Sequence, residues 1–227
     1  MSNLPTTDVA IFSFGRTESQ RCPNKMLRPL AGTTLTDILL TKFARCHQPT
    51  FFAGYEPEFR SLCNNHGVRF VQRDERSATI DEPIVEILSF LQPLEFTHFL
   101  CVNASLPFLE LDTITSFLDD CIANDSQPAF GVIQKTNHLM SLDRHPLNFD
   151  ITAHTINTKT VKPVLEFAHA LYFFSKEYLF REGTYWDWNT VRLIELPSKL
   201  QTIDIDTEED FRIAEALWNG LRNSRQS

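Results

Sequence analysis

Short, unbroken apolar runs alternate along this chain with stretches in which apolar residues recur every three or four positions. DVAIFSF (8–14) is apolar throughout and predicts a strand buried on both faces. Leu35, Ile38, Leu39, Phe43 and Cys46 follow at helical spacing. PTFFAG (49–54) predicts a second strand, EPEFRSLCNNHG (56–67) a helix that Gly67 ends, and VRFVQ (68–72) a third strand. Ile84, Ile87, Leu88 and Leu91 form another helical stripe, THFLCVN (97–103) a fourth strand, and Leu111, Ile114, Phe117, Leu118, Cys121 and Ile122 a further helix face. PAFGVIQ (128–134) predicts a fifth strand. Strands alternating with helices predict an α/β fold with a parallel sheet covered on both sides, whose ligands sit beyond the carboxyl ends of the strands.

The rhythm breaks after Gln134. Residues 136–165 are polar with short β-like alternation and read as an excursion from a single domain spanning 1–227. ALYFFS (170–175) resumes a strand, LQTIDID (200–206) predicts another, and TEEDFRIAEALWNGL (207–221) predicts a closing helix with Phe211, Ala214, Trp218 and Leu221 on one face.

Charge narrows the function. The net charge of −8 argues against wholesale binding of nucleic acid, which needs a broad basic surface, but leaves room for a small anion held by local cations. GRTESQRCPNK (15–25) offers such cations in Arg16, Arg21 and Lys25. It lies between the first strand and the first helix, where backbone N–H groups and a helix N-terminus also favour phosphate. Ser19 adds a hydroxyl donor and Pro23 stiffens the loop. An exposed basic loop without a ligand is the plainer alternative, and the Walker A pattern is absent.

Asp204 and Asp206 stand two apart on the strand predicted at 200–206, so both carboxylates face one side and reach one hard cation such as Mg²⁺. Asp206 and Glu209 equally form a D-x-x-E capping box for the last helix. Five cysteines at irregular spacing, with no CxxC pair, suggest buried thiols in a reducing compartment; cations beside Cys22 could lower its pKa. No apolar run approaches a membrane span, and the N-terminus lacks a basic n-region, so we expect a cytoplasmic protein without membrane partners.

These motifs resemble a known family. R-x2-S-x-R-x-P-x-K after a first strand, followed by L-x-P-L-A-G-x-x-L, is similar to the opening of the cytidylyltransferases that activate sugar acids, the acylneuraminate (CMP-sialic acid) and CMP-KDO synthetases. The matching residues are Arg16, Ser19, Arg21, Pro23 and Lys25, then Pro29, Leu30, Gly32 and Leu35. Thr17, Glu18 and Met26 stand where sialic-type members carry two glycines and an asparagine. IDIDTEEDF (203–211) resembles the metal-binding tail of the sialic type, and the KDO type keeps the aspartate at Asp206. FLCVNASLPFLELDTI (99–114) resembles a third segment, with Asn103 at an acceptor-contacting position and Ser105 where the KDO type has its other metal aspartate. VLEFAHALYFF (164–174) aligns with a segment that shapes the acceptor site, with Ala168 and His169 in place of its Asn–Gly pair.

The resemblance implies a Rossmann-like three-layer nucleotidyltransferase (GT-A-like) fold with a mostly parallel sheet and a small β excursion used for homodimerisation. It implies CTP and a sugar acid as substrates and Mg²⁺ as cofactor. Arg16, Lys25 and Asp206 would be catalytic, with Arg16, Ser19, Arg21, Lys25 and Arg73 on the nucleotide. Asn103, Glu166, His169 and Tyr172 would face the acceptor, and Asp204 and Asp206 the metal. A different acceptor (KDO, a sugar phosphate or a phosphoalcohol) or a degenerate nucleotide-binding homologue are the alternatives. His169 alone also reads as a structural histidine, and YWDWN (185–189) as a satellite core cluster, with an interface patch or a sugar-stacking surface as the alternatives.

Overall fold

The computed structural model describes residues 8–124 and 127–224. Its strands are β1 (Val9–Phe14), β2 (Thr50–Gly54), β3 (Arg69–Gln72), β4 (His98–Val102), β5 (Ala129–Lys135), β6 (Val164–Ser175) and β7 (Arg192–Glu195). Its α-helices are α1 (Leu35–Phe43), α2 (Pro57–His66), α3 (Glu75–Thr79), α4 (Ile84–Ile87), α5 (Leu111–Ala123), α6 (Lys176–Glu182) and α7 (Glu208–Ser224). The strands form one sheet in the order β3-β2-β1-β4-β6-β5-β7. All pairings are parallel except those of β6, which runs antiparallel to both β4 and β5.

Alternate residues of β1 explain the three layers. Val9 and Ile11 point into a core with α1, α2, α5 and α7, while Ala10 and Phe12 point into a second core with α4, α6 and the 3₁₀ turn Ser89–Leu91. Phe12 is fully buried there, its ring 5.4 Å from Phe51, 5.7 Å from Phe99 and 6.2 Å from Phe174. A sheet buried on both faces needs such apolar strands, which is what the unbroken runs encode. Gly67 ends α2 in the left-handed conformation (φ 67°), as expected.

Three expectations are corrected. LQTIDID is not a strand: Lys199–Thr202 is a 3₁₀ turn and 203–206 crosses the end of the sheet unpaired to any strand. The strand on that side is β7, which the sequence reading did not anticipate. Within the excursion, the backbone pairing is a lone bridge between Met140 and Pro146, and β6 begins already at Val164. What organises the excursion instead is the buried side chain of Asn148. Its Oδ1 accepts from Leu139 N–H at 2.8 Å, and its Nδ2 donates to the carbonyls of Asn137 and Lys162 at 2.8 and 3.0 Å. Among the described residues, no helix is long and apolar enough to cross a membrane. All five cysteines are free thiols.

Candidate active site

The carboxyl ends of β1 and β4 and the bent middle of β6 converge on one cavity with two lobes, of about 530 and 440 Å³. The lobes share Phe14, Ile84, Asn103, Ala104 and Asp206. Gly15 carries the chain from β1 into the first lobe; a Cβ there would lie 2.9 Å from the Phe52 ring, so no side chain fits the turn.

Arg16, Ser19, Arg21, Lys25 and Arg73 all line the first lobe. Asp206 is the anchor among them. Its Oδ1 lies 3.1 Å from Arg21 Nη2 and 3.3 Å from Lys25 Nζ. Lys25 also donates to the Ile205 carbonyl at 2.5 Å, and the Ile205 N–H donates to the Ser105 carbonyl at 3.1 Å. Ile205 is thus pinned from both sides with its side chain fully buried, so the flanking Asp204 and Asp206 both turn toward the cavity. The same-side reading of the two aspartates holds, through an extended segment and not through a sheet strand.

The capping-box alternative for Asp206 is displaced by one residue. Asp210 N–H donates to Thr207 Oγ1 at 3.2 Å, and Asp210 Oδ2 accepts from Thr207 N–H at 2.8 Å and Asp206 N–H at 3.2 Å. Thr207 and Asp210 cap α7, which leaves the Asp206 carboxylate to the cations. The loop is further fastened to this helix by Arg28, whose guanidinium bonds both Glu208 oxygens at 2.7 and 2.9 Å and lies 3.9 Å over the Phe211 ring. Cys22 packs beneath, fully buried, its thiol 3.6 Å from Glu208. Burial and Glu208 raise its pKa, overturning the expectation that nearby cations would activate it.

Two of the cations differ from a simple phosphate grip. Arg16 donates to Asp81 at 2.6 Å and to the Thr79 carbonyl at 3.2 Å, so it bridges the loop to the segment after α3. Arg73 is buried beneath the lobe, bonded to Ser77 Oγ at 3.1 Å, to the Ser77 carbonyl and to the Gly15 carbonyl at 3.3 Å. Its guanidinium lies 5.0 Å from the Phe14 ring centre, and burial pushes its pKa down to about 10. Arg73 therefore supports the lobe's floor. Asp81 was not anticipated, because a lone aspartate in ATIDEP carries no motif.

The second lobe is lined by Asn103, His169, Tyr172, Tyr185 and Asp204 in addition to Asp206. Asn103 Oδ1 accepts from Ser105 N–H at 2.9 Å, and its Nδ2 donates to the His169 carbonyl and to Asp204 Oδ2 at 2.8 and 3.1 Å. Tyr185 is part of the core, its ring stacked on Phe174 at 4.8 Å, and it also lines the second lobe. Trp188 packs outside, against Phe130 and Phe167. Glu166 does not reach either lobe; it is exposed and paired with Lys135 at 2.9 Å, since the β6 alternation points it away.

The donor set suits magnesium. Asp204 Oδ1 is buried without a hydrogen-bond partner, and burial with the neighbouring Asp206 charge raises its pKa. A buried carboxylate oxygen left open beside a second carboxylate is what a hard cation would satisfy. Among the described residues no cluster of three or more His, Cys, Asp or Glu side chains forms a metal cage, so such an ion would complete its shell with phosphate oxygens and water.

The fold is similar to solved nucleotidyltransferases. A CMP:2-keto-3-deoxy-manno-octonic acid synthetase complexed with CTP superposes with a TM-score of 0.69 at 11% identity, covering 93% of this chain and 98% of that one. The 4-diphosphocytidyl-2C-methyl-D-erythritol synthase of Anaerococcus prevotii gives 0.63 at 12% identity, covering 94% and 97%. A cytidylyltransferase from Leptospira borgpetersenii gives 0.60 at 12% identity, covering 92% and 85%. No curated protein matches the chain by sequence. The cytidylyltransferase family model, however, matches residues 14–219, from the end of β1 into α7 and so across both lobes, and the chain belongs to that family of nucleotidyltransferases.

Proposed function

We propose that this cytidylyltransferase moves the cytidylyl group of CTP to a hydroxyl of a nonulosonic (sialic-type) or related sugar acid, with Mg²⁺ as cofactor. The observation that carries the reading is Asp206, which faces both lobes while bonded to Arg21 and Lys25. A triphosphate in the first lobe meets three cations; an acceptor hydroxyl in the second meets it across the shared wall. The tail IDIDTEEDF, with its sialic-type pattern, supports the sugar-acid acceptor.

The hydroxyl oxygen forms a bond to the α-phosphorus, the bond to the β-phosphate oxygen breaks, and pyrophosphate leaves. Arg16, Arg21 and Lys25 neutralise the charge that develops on the phosphates, and Ser19 donates to them. Arg16 exchanges Asp81 for phosphate as it does so. Asn103 holds Asp204 and the His169 segment in fixed relation, which sets the acceptor's approach. Asp204 and Asp206 would hold Mg²⁺, which when bound polarises the α-phosphate and lowers the pKa of the attacking hydroxyl. A different acceptor, such as KDO, a sugar phosphate or a phosphoalcohol, is the second reading, favoured by Ala168–His169 replacing the Asn–Gly pair.

The test is pyrophosphate release with CTP and Mg²⁺ across sialic-type acids and KDO, with ATP, GTP and UTP as controls. Release with CTP and one acid is expected; release that ignores the base, or none with any acid, overturns the assignment. We further propose a homodimer built on the excursion, where Leu142, Leu147, Ile151 and Ile156 are all largely exposed. Light scattering at micromolar concentration should give twice the chain mass, and a monomer counts against it. The free thiols support a cytoplasmic enzyme.

A further inference from the structure

β6 departs from strand geometry at one place, and that place faces the acceptor lobe. Phe130 of β5 pairs with Tyr172, and Val132 pairs with Phe167. Gly131 is therefore opposed by everything between, residues 168–171. His169 lies in this bulge at a φ of 49°, in the left-handed region that few residues other than glycine enter. Its carbonyl accepts from Asn103, the same amide nitrogen that reaches Asp204, and its ring Nδ1 lies 2.8 Å from the Tyr172 hydroxyl. Bulges beside active sites re-aim side chains, and a strained backbone persists where its surroundings over-determine it.

The chemistry of the lobe gives the bulge a purpose. Among its described lining residues there is no lysine or arginine. The Asn103 amide is committed on both sides to protein partners. With the Tyr172 hydroxyl donating, His169 Nδ1 is the acceptor in their 2.8 Å hydrogen bond. That hydrogen bond places the imidazole proton on Nε2. His169 then offers the lobe an N–H donor whose direction is set by the bulge on one side and Tyr172 on the other.

We propose that His169 is the specificity-determining residue of the acceptor lobe, its Nε2–H donating to an oxygen of the sugar acceptor, with Tyr172 as its positioning residue. The acceptor is read by a directed hydrogen bond and not by a lysine or arginine of the lobe. This inference rests on the acceptor reading proposed above.

Steady-state kinetics with CTP, Mg²⁺ and the sugar acid found by the panel test it, in wild type, His169→Gly, His169→Asn and Tyr172→Phe. Glycine and asparagine both accept the positive φ, so the ring is removed without reshaping the bulge. His169→Gly should raise the acceptor KM about tenfold, the worth of one hydrogen bond, while the CTP KM stays within about twofold. His169→Asn, which keeps a shorter donor, should recover part of the loss, and Tyr172→Phe should raise the acceptor KM alone. An unchanged acceptor KM in His169→Gly, or equal rises for CTP and acceptor, overturns the assignment. A wild type that turns over no sugar acid overturns the acceptor reading first and this assignment with it; turnover with unaffected variants overturns only the role of His169.

Discussion

Lys25 Nζ lies 3.3 Å from Asp206 Oδ1 although 181 positions separate the two residues. The pair closes the cavity from the two ends of the chain, and each member also faces the first lobe. Asp206→Asn keeps the shape and removes the charge; Lys25→Ala removes a phosphate cation and the clasp on the Ile205 carbonyl. Each should cost about 2.7–4 kcal/mol in the transition state, roughly a hundred- to a thousandfold in pyrophosphate release. Circular dichroism should show both variants folded. Turnover close to wild type in Asp206→Asn would remove Asp206 from the mechanism.

Asp204 should trade stability for function. Its pKa is raised in the folded protein above the ordinary 3.8, chiefly by burial and then by Asp206. Between 3.8 and that raised value the fold binds more protons than the unfolded chain, so stability falls as pH rises through the window, and ionised Asp204 weighs against the fold at neutral pH. Asp204→Asn keeps an acceptor for the Asn103 amide and discards the charge. Thermal melts at pH 7 without divalent ions should show Asp204→Asn melting higher than wild type. The difference should shrink toward pH 4, and Mg²⁺-dependent turnover should be lost. A lower melting point for the variant at pH 7 would contradict the unfavourable charge.

Thr207 and Glu209 separate the observed cap from the one read in the sequence. Thr207→Ala removes the hydroxyl that receives the Asp210 N–H and should destabilise by about 1 kcal/mol, or about 2–4 °C in Tm. It should also lower activity, because Asp206 shares Asp210 as a backbone partner. Glu209→Ala should leave both unchanged. The reverse order in melting experiments would restore the 206–209 cap.

Arg73 and Arg21 should fail in different ways. Arg73 is buried with neutral partners and packs under Phe14 and Phe90. Arg73→Ala strands Ser77 and the Gly15 carbonyl and should cost about 2–4 kcal/mol of folding stability. Arg21 is largely exposed, so Arg21→Ala should leave the melting point in place and weaken CTP binding. Denaturant titration beside calorimetric CTP titration distinguishes the two, and a folding-neutral Arg73→Ala would return that side chain to the ligand.

Most of the layered fold was legible because burial on both faces forces unbroken apolar strands, as in DVAIFSF and THFLCVN. The misses share a physical cause. Ile203 and Ile205 alternate with aspartates as they would in a strand, yet that pattern records which way side chains face and not whether the backbone finds a neighbour to pair with. Here the Ile205 backbone is held by Ser105 and by the Lys25 side chain. β7 was hidden because RLIE is short and opens on Arg192, whose charge is spent on Asp120 at 2.6 Å. In the site, charge and spacing singled out Arg16, Arg21, Lys25 and both aspartates with the exposed-loop and capping alternatives open, and the family resemblance favoured a site. Asp81, Glu208 and the bulge at His169 were not legible, since each gains its role from a segment distant in sequence.

The reversed strand β6 gives this enzyme a replaceable part. Most charged groups of the first lobe stand on the turn after β1 and the crossing segment 203–206, whereas β6 gives His169 and Tyr172 to the second lobe and buries Ala168, Ala170 and Leu171 in the core. Substitution at His169 would recut that wall of the second lobe and leave the charged groups of the first where they are, whereas changes at Ala168, Ala170 or Leu171 would disturb the core. A designer reshaping the second lobe has one position of the bulge to vary, His169, and its neighbours Asn103 and Tyr172 set the limits within which the bulge must still close.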